Sequence, residues 1–118
     1  MTSISQFTAD VRAFSEERDW PKFQDPKSLL LALMGEVGEV AELMQWTREA
    51  DVVSDFESPE RNHRVGDELA DVFIYLVRLA DVLGVDLGQA AEEKLERNRS
   101  RFPTQGPDSI IGKLPSKR

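Results

Sequence analysis

At 118 residues and a formal net charge of −7, the chain has the length of one domain and the wrong sign for a broad nucleic-acid or anionic-membrane surface. Hydrophobic residues make up 40%, enough for a folded core but a modest one, for which association between copies is a common remedy. The absence of cysteine excludes disulfides, zinc–thiolate sites and thiol catalysis. The opening MTSISQFTADVRAF has an acid and no long apolar core, so it does not read as a signal peptide. The longest unbroken apolar run, residues 29–34, is too short to span a bilayer, and a cytoplasmic location is expected.

In chain order, the first helix is expected over residues 3–18. Ser3 and Gln6 have capping-box spacing, and Ile4, Phe7, Val11 and Phe14 recur at the helical period. Asp19-Trp20-Pro21 ends it, because proline disfavours helix at the residue before it. Asp25-Pro26, a cap followed by proline, opens a second helix to about Arg48. A polar loop follows, and Ser58-Pro59 opens a third helix that stops near Gly84. Asp86 with Gln89 opens a fourth, to about Phe102. The rest, PTQGPDSIIGKLPSKR, reads as an irregular tail in which Ile110, Ile111 and Leu114 could serve as anchors. No stretch alternates with the period of a strand. The expectation is an all-α domain over residues 1–102, with a tail over 103–118.

GEVGEVAELMQW (residues 35–46) aligns without gaps on DELADVFIYLVR (residues 67–78), matching Glu36 with Glu68 and Glu39 with Asp71. On helical wheels, Leu30, Leu33, Val37, Val40, Ala41 and Met44 form one apolar face. Val65, Leu69, Val72, Leu76, Leu79, Ala80 and Leu83 form the other. Glu36 borders the first face with Glu39 beyond it on the same side, Glu68 and Asp71 border the second, and each pair has i,i+3 spacing, where like charges repel. Trp46 continues one acidic edge, and Tyr75 and Arg78 continue the other. If the two helices pack side by side, four carboxylates converge, and such a cluster either raises its pKa values or binds cations. All-oxygen donors suit magnesium or manganese better than zinc or copper. Taken alone, either pair is more simply a solvated helix face. A di-iron bundle is ruled out because a lone His63 cannot supply two Glu-x-x-His elements.

Lys94, Asn98 and Arg101 share one face of the fourth helix, as phosphate-binding donors would, although a basic last turn favoured by the helix dipole explains the arginines equally well. Trp46 could stack on a nucleobase, and either it or Trp20 could simply pack. The run LLLALM is apolar on every side, so that stretch of helix is expected to be buried all round.

Together RDW, PKSLLLALMGEVGEVAELMQW, DELADVFIYLV and KLERNRSRFP resemble the MazG-like all-α nucleotide pyrophosphohydrolase family, its short dCTP-pyrophosphatase-like branch in particular. The resemblance runs from about Phe14 to Phe102. It implies a four-helix-bundle protomer that associates into a homo-oligomer, a tetramer before a dimer, with sites at subunit contacts. It implies that Glu36, Glu39, Glu68 and Asp71 hold Mg²⁺, with Mn²⁺ as the alternative; on that basis a glutamate not fully occupied by metal, Glu39 first, is expected to orient or deprotonate the attacking water. By position, Lys94 and Asn98 resemble phosphate or sugar contacts, Tyr75 a substrate contact, and Trp20 and Trp46 the aromatic wall of a base pocket. The implied reaction splits a (deoxy)nucleoside triphosphate, dCTP or a modified dNTP, into monophosphate and pyrophosphate. Gly35 before Glu36 fits this branch, whereas Val11 stands where its dCTP-preferring relatives carry a histidine, so the base stays open. A dUTPase-like hydrolase and a non-catalytic helical interaction module are the competing readings. Neither a nucleic acid nor a membrane is an expected partner.

Overall fold

The computed structural model describes residues 2–104. Among them are five α-helices and no strand: α1 (Ile4–Glu17), α2 (Pro26–Met44), the single-turn α3 (Val52–Asp55), α4 (Pro59–Val82) and α5 (Leu87–Arg101). The all-α class is as expected. The reading of Ile110, Ile111 and Leu114 as anchors lies outside the described residues.

Each long helix starts where a side-chain oxygen takes up an otherwise orphaned backbone N–H. Ser3 Oγ accepts from Gln6 N at 3.0 Å, and Asp25 from Ser28 N at 3.2 Å. Ser58 Oγ accepts from Arg61 N at 3.3 Å, and Asp86 from Gln89 N at 3.1 Å. Such caps contribute about 1 kcal/mol each. Pro26 and Pro59 occupy first-turn positions, where the missing N–H costs nothing.

Two helix ends share one device. At the end of α1, Trp20 N bonds Ser15 O and Asp19 N bonds Glu16 O, with Asp19 left-handed at φ 58°. At the end of α4, Val85 N bonds Ala80 O and Gly84 N bonds Asp81 O, with Gly84 at φ 71°. Both are Schellman closures. Glycine enters the left-handed region freely; aspartate is among the few other residues that visit it.

Helix α2 stops at Met44, short of the expected Arg48. Thr47 N bonds Met44 O in a tight turn, and the Leu43 carbonyl accepts from Arg61 Nη2 of α4 at 3.1 Å. The loop beyond is more ordered than its polarity suggests. Phe56 is buried beneath the Arg61 guanidinium, which lies 4.9 Å from the ring centroid and also pairs with Asp55 at 2.8 Å. Val52 and Phe56, one helical turn apart, were the available signal.

Helix α4 packs against α2 along one stripe and against α1 along another. On α2 the covered stripe runs Leu29, Leu33, Glu36, Val40, Met44; on α4 it runs Val65, Glu68, Val72, Tyr75, Leu79. The helices run in opposite directions, since Leu43 meets Arg61 while Glu36 approaches Glu68. The second stripe of α4 buries Val77, Arg78 and Ala80. Phe73 stacks on Phe7 of α1 at 5.5 Å between centroids.

The wheel reading therefore needs correction. Glu36 and Glu68 lie within the covered stripe rather than at its border, whereas Glu39 is exposed beyond it, and the deepest apolar residues are Leu29 and Val77, at 2% and 1% exposure. Nor is LLLALM buried all round in the single chain: Leu31 and Met34 stay 63% and 62% exposed, because α4 covers one face of α2 only.

The chain divides into two compact units between Val85 and Asp86. The described part of the second unit is mainly α5, whose half-buried positions include Lys94, Asn98 and Arg101.

Candidate active site

Side-by-side packing of α2 and α4 brings together Glu36, Glu39 and Glu68, each offering a carboxylate oxygen within 4.8 Å of the others. Three like charges at this separation are held by the helices rather than by attraction for one another. Glu68 shows the consequence. A hydrogen bond shared with Glu39, then desolvation, then the Glu39 charge raise its pKa above the usual carboxylate value. Arg64, 3.5 Å away, opposes the shift without cancelling it.

Glu36 Oε2 and Glu68 Oε2 are buried and make no hydrogen bond with any described residue. Leaving a buried carboxylate oxygen unpaired costs more than leaving out the hydrogen bond itself, so such atoms point to a missing partner. The donor set fits a hard divalent cation: every ligand atom is a carboxylate oxygen, and the group is half-buried except at Glu39, which is exposed.

Asp71 is the fourth acid of the pattern, and its position differs. It is exposed, one helical turn beyond Glu68, and does not join the three-glutamate cluster. Its side chain is one methylene shorter than that of Glu39. It lines a cavity of about 250 Å³ between α1, the turn after it, and α4, together with Phe14, Trp20, Gln24, Tyr75 and Arg78. The Schellman closure at Asp19 turns Trp20 back onto Phe14, with the rings edge to face at 5.5 Å. Lys22 pairs with Asp19 at 2.7 Å across the same turn.

Beneath this cavity runs a network that links α1, the turn and α4. Arg12 grips Asp81 with two bonds, from Nε at 2.9 Å and from Nη2 at 2.7 Å. Arg78 Nη1 donates to Asp81 at 3.0 Å, and Arg78 Nε donates to Gln24 Oε1 at 2.9 Å. Ser15 Oγ donates to the same Gln24 oxygen. The Arg12 hydrogen bond, followed by the charges of Arg12 and Arg78, holds Asp81 below the usual carboxylate range against the opposing effect of burial. Ser15 and Arg78 are 2% and 6% exposed, so this end of the network is internal, while Arg12 closes it from the surface.

Of the expected site residues, the structure gathers Glu36, Glu39 and Glu68 in one cluster, and Asp71, Trp20 and Tyr75 around one cavity. Trp46 stands past the end of α2, 89% exposed. Lys94 and Asn98 share a half-buried face of α5, and Asn98 Oδ1 is buried with no hydrogen-bond partner among the described residues. The matched repeat positions have matching burial: Glu36 and Glu68 are half-buried, Glu39 and Asp71 exposed. Sequence reasoning placed Arg78 on the acidic edge of its helix and passed over Ser15, Gln24 and Asp81. Only the i,i+3 spacing of Arg78 and Asp81 hinted at their pairing.

Residues 33–110 match the model of the MazG-like family. The chain is 48% identical over 90 residues to dCTP pyrophosphatase 1 of Rattus norvegicus and to that of Homo sapiens, a stretch covering 76% of this chain and 53% of either relative. It thus spans about half the length of these curated relatives. A crystal structure of a pyrophosphatase from Archaeoglobus fulgidus superposes with a TM-score of 0.77 at 34% identity, covering 87% of this chain and 94% of that one.

Proposed function

Since the chain belongs to the MazG-like family, we propose that it hydrolyses a nucleoside triphosphate, a deoxynucleotide first of all, to the monophosphate and pyrophosphate. The observation that carries this reading is the cluster of Glu36, Glu39 and Glu68 with its two buried, unpartnered oxygens. The names of the matched relatives, dCTP pyrophosphatases and a pyrophosphatase, support the reaction and dCTP as a substrate; a modified dNTP is the proposed variant of it.

In the proposed reaction, water attacks the α-phosphorus and the bond from that atom to the β-bridging oxygen breaks, which yields the two products. Glu36, Glu39 and Glu68 would hold Mg²⁺, or Mn²⁺, with Asp71, one turn along α4, as the proposed fourth ligand; the ion would supply neutralisation of the polyphosphate charge and polarisation of its oxygens. Glu39, the exposed member of the cluster, orients the water and accepts its proton. Trp20 and Tyr75 wall the base pocket. Lys94 contributes a point charge to phosphate, and the unpartnered Asn98 oxygen suits a sugar hydroxyl, which can donate to it.

Residues 1–102 form the proposed working domain. A homo-oligomer, a tetramer ahead of a dimer, is supported by the apolar side chains that the single chain leaves uncovered, among them Leu30, Leu31, Met34 and Val37 on α2 and Leu69 on α4. Trp46 would join the base pocket across such a contact. No helix among the described residues is long and apolar enough to cross a membrane; the cytoplasm is the proposed compartment.

The test is a panel of ribo- and deoxynucleoside triphosphates with and without Mg²⁺, with the released product identified. Pyrophosphate release that requires Mg²⁺ is expected. Orthophosphate as the product, or no release from any member of the panel, ends the proposal. A strict dUTP preference would replace dCTP while keeping the chemistry.

A further inference from the structure

We infer that Gln24 is a specificity-determining residue of the cavity between α1 and α4, and that its amide N–H groups donate to an acceptor atom of the nucleobase. This rests on the reading of the cavity as a nucleotide pocket. Gln24 lies just past a 3-10 turn of three residues, Pro21–Phe23, and lines the cavity together with Trp20, Asp71 and Tyr75.

The orientation of its amide follows from what it touches. The guanidinium of Arg78 has N–H donors and no acceptor, so the Gln24 atom 2.9 Å from Arg78 Nε has to be the carbonyl oxygen. Ser15 Oγ, 2% exposed, donates to that same oxygen. Turning the amide over would set two N–H donors against each other at a buried arginine, so the side chain is locked by its oxygen. The amide nitrogen is thereby turned away from Arg78, and no described residue accepts its N–H groups.

A fixed pair of donors beside two aromatic walls has the chemistry of a base-reading group. The aromatic faces bind any base, whereas a positioned amide selects for acceptor atoms. A pyrimidine offers them at its C2 carbonyl and, in cytosine, at N3. A site built to hydrogen-bond its substrate discriminates strongly against one that cannot complete the bond. No side chain of the acidic cluster can play this part, because carboxylates only accept.

Glu at position 24 separates recognition from architecture. A carboxylate still accepts from Ser15 and Arg78, so Gln24→Glu should keep the network and the fold while removing both N–H donors. The measurement is kcat/KM with Mg²⁺ for the preferred pyrimidine deoxynucleoside triphosphate and for deoxyribose 5-triphosphate, which has no base. Gln24→Glu should lower the first by about tenfold or more, mainly through KM, and leave the second within about twofold. Equal losses on both substrates, or no loss on either, would overturn the inference. Thermal stabilisation by the pyrimidine deoxynucleoside monophosphate gives a readout independent of turnover. If wild type releases no pyrophosphate yet is stabilised by the monophosphate and Gln24→Glu is not, the hydrolase reading fails and the Gln24 assignment survives. If wild type shows no stabilisation, or the variant matches it, the Gln24 assignment fails.

Discussion

Glu68 and Asp81 are both carboxylates of α4, and their side chains are equally buried, at 13% and 14% exposure. Their protonation is nevertheless pushed in opposite directions. Glu68 faces Glu39 and is driven above the usual carboxylate range; Asp81 lies between Arg12 and Arg78 and is held below it. Burial is thus the same in the two cases, and the neighbours decide the sign. Asp81 is satisfied and ties α1 to α4. Glu68 is left in conflict with its surroundings, as expected of a group placed for a ligand rather than for the fold.

Substitution can break this contrast. Glu68→Gln should lower pyrophosphate release by about two orders of magnitude or more and remove stabilisation by Mg²⁺. It should also raise the metal-free Tm, because it relieves the repulsion with Glu39. The pH dependence has a definite sign. A carboxylate whose folded pKa is raised weakens the fold above its unfolded pKa, and that penalty disappears as pH falls toward and below the unfolded value. The metal-free Tm advantage of Glu68→Gln should therefore shrink in acid. Thermal melts with chelator at several pH values check this, and a variant less stable than wild type at neutral pH would remove the conflict from the account.

Asp81→Asn should behave in the opposite way. Removing the carboxylate leaves Arg78 buried without its anion, at a cost of about 3 kcal/mol. Because the folded pKa of Asp81 is depressed, its contribution is fully present above the unfolded pKa and is lost as pH falls through the depressed value. Denaturant midpoints of wild type and Asp81→Asn should accordingly converge in strong acid and stay apart at neutral pH. A difference independent of pH would assign the loss to packing instead.

The smallest effect isolates backbone from charge. Gly84 ends α4 at φ 71°, and a Cβ there would meet nothing within 4 Å. Gly84→Ala should thus cost only the left-handed conformation, about 1 kcal/mol. The loss should be constant across pH, unlike the two carboxylate variants.

Local chemistry accounts for much of what could be read in advance. The four long helices begin at the predicted caps, Ser3, Asp25, Ser58 and Asp86, because a cap acts on N–H groups two or three residues away. The ExxE and ExxD spacings put each acid pair on one surface of its own helix. Phe56 escaped notice because its value comes from Arg61 and the packed loop rather than from its neighbours in sequence.

What the sequence by itself determined, then, is the all-α class, where the helices start, and which acids share a face. The tertiary structure alone decided that Glu36, Glu39 and Glu68 meet while Asp71 turns to the adjacent cavity. It also decided that Arg78, expected to continue the acidic edge, is buried against Gln24, 54 positions away in the chain, and that Arg12 reaches Asp81 across 69. The reason is one of range. Caps, prolines and helical periodicity act over about one turn of chain, whereas partners so distant in sequence are set by how α1, α2 and α4 stack, which no local pattern specifies.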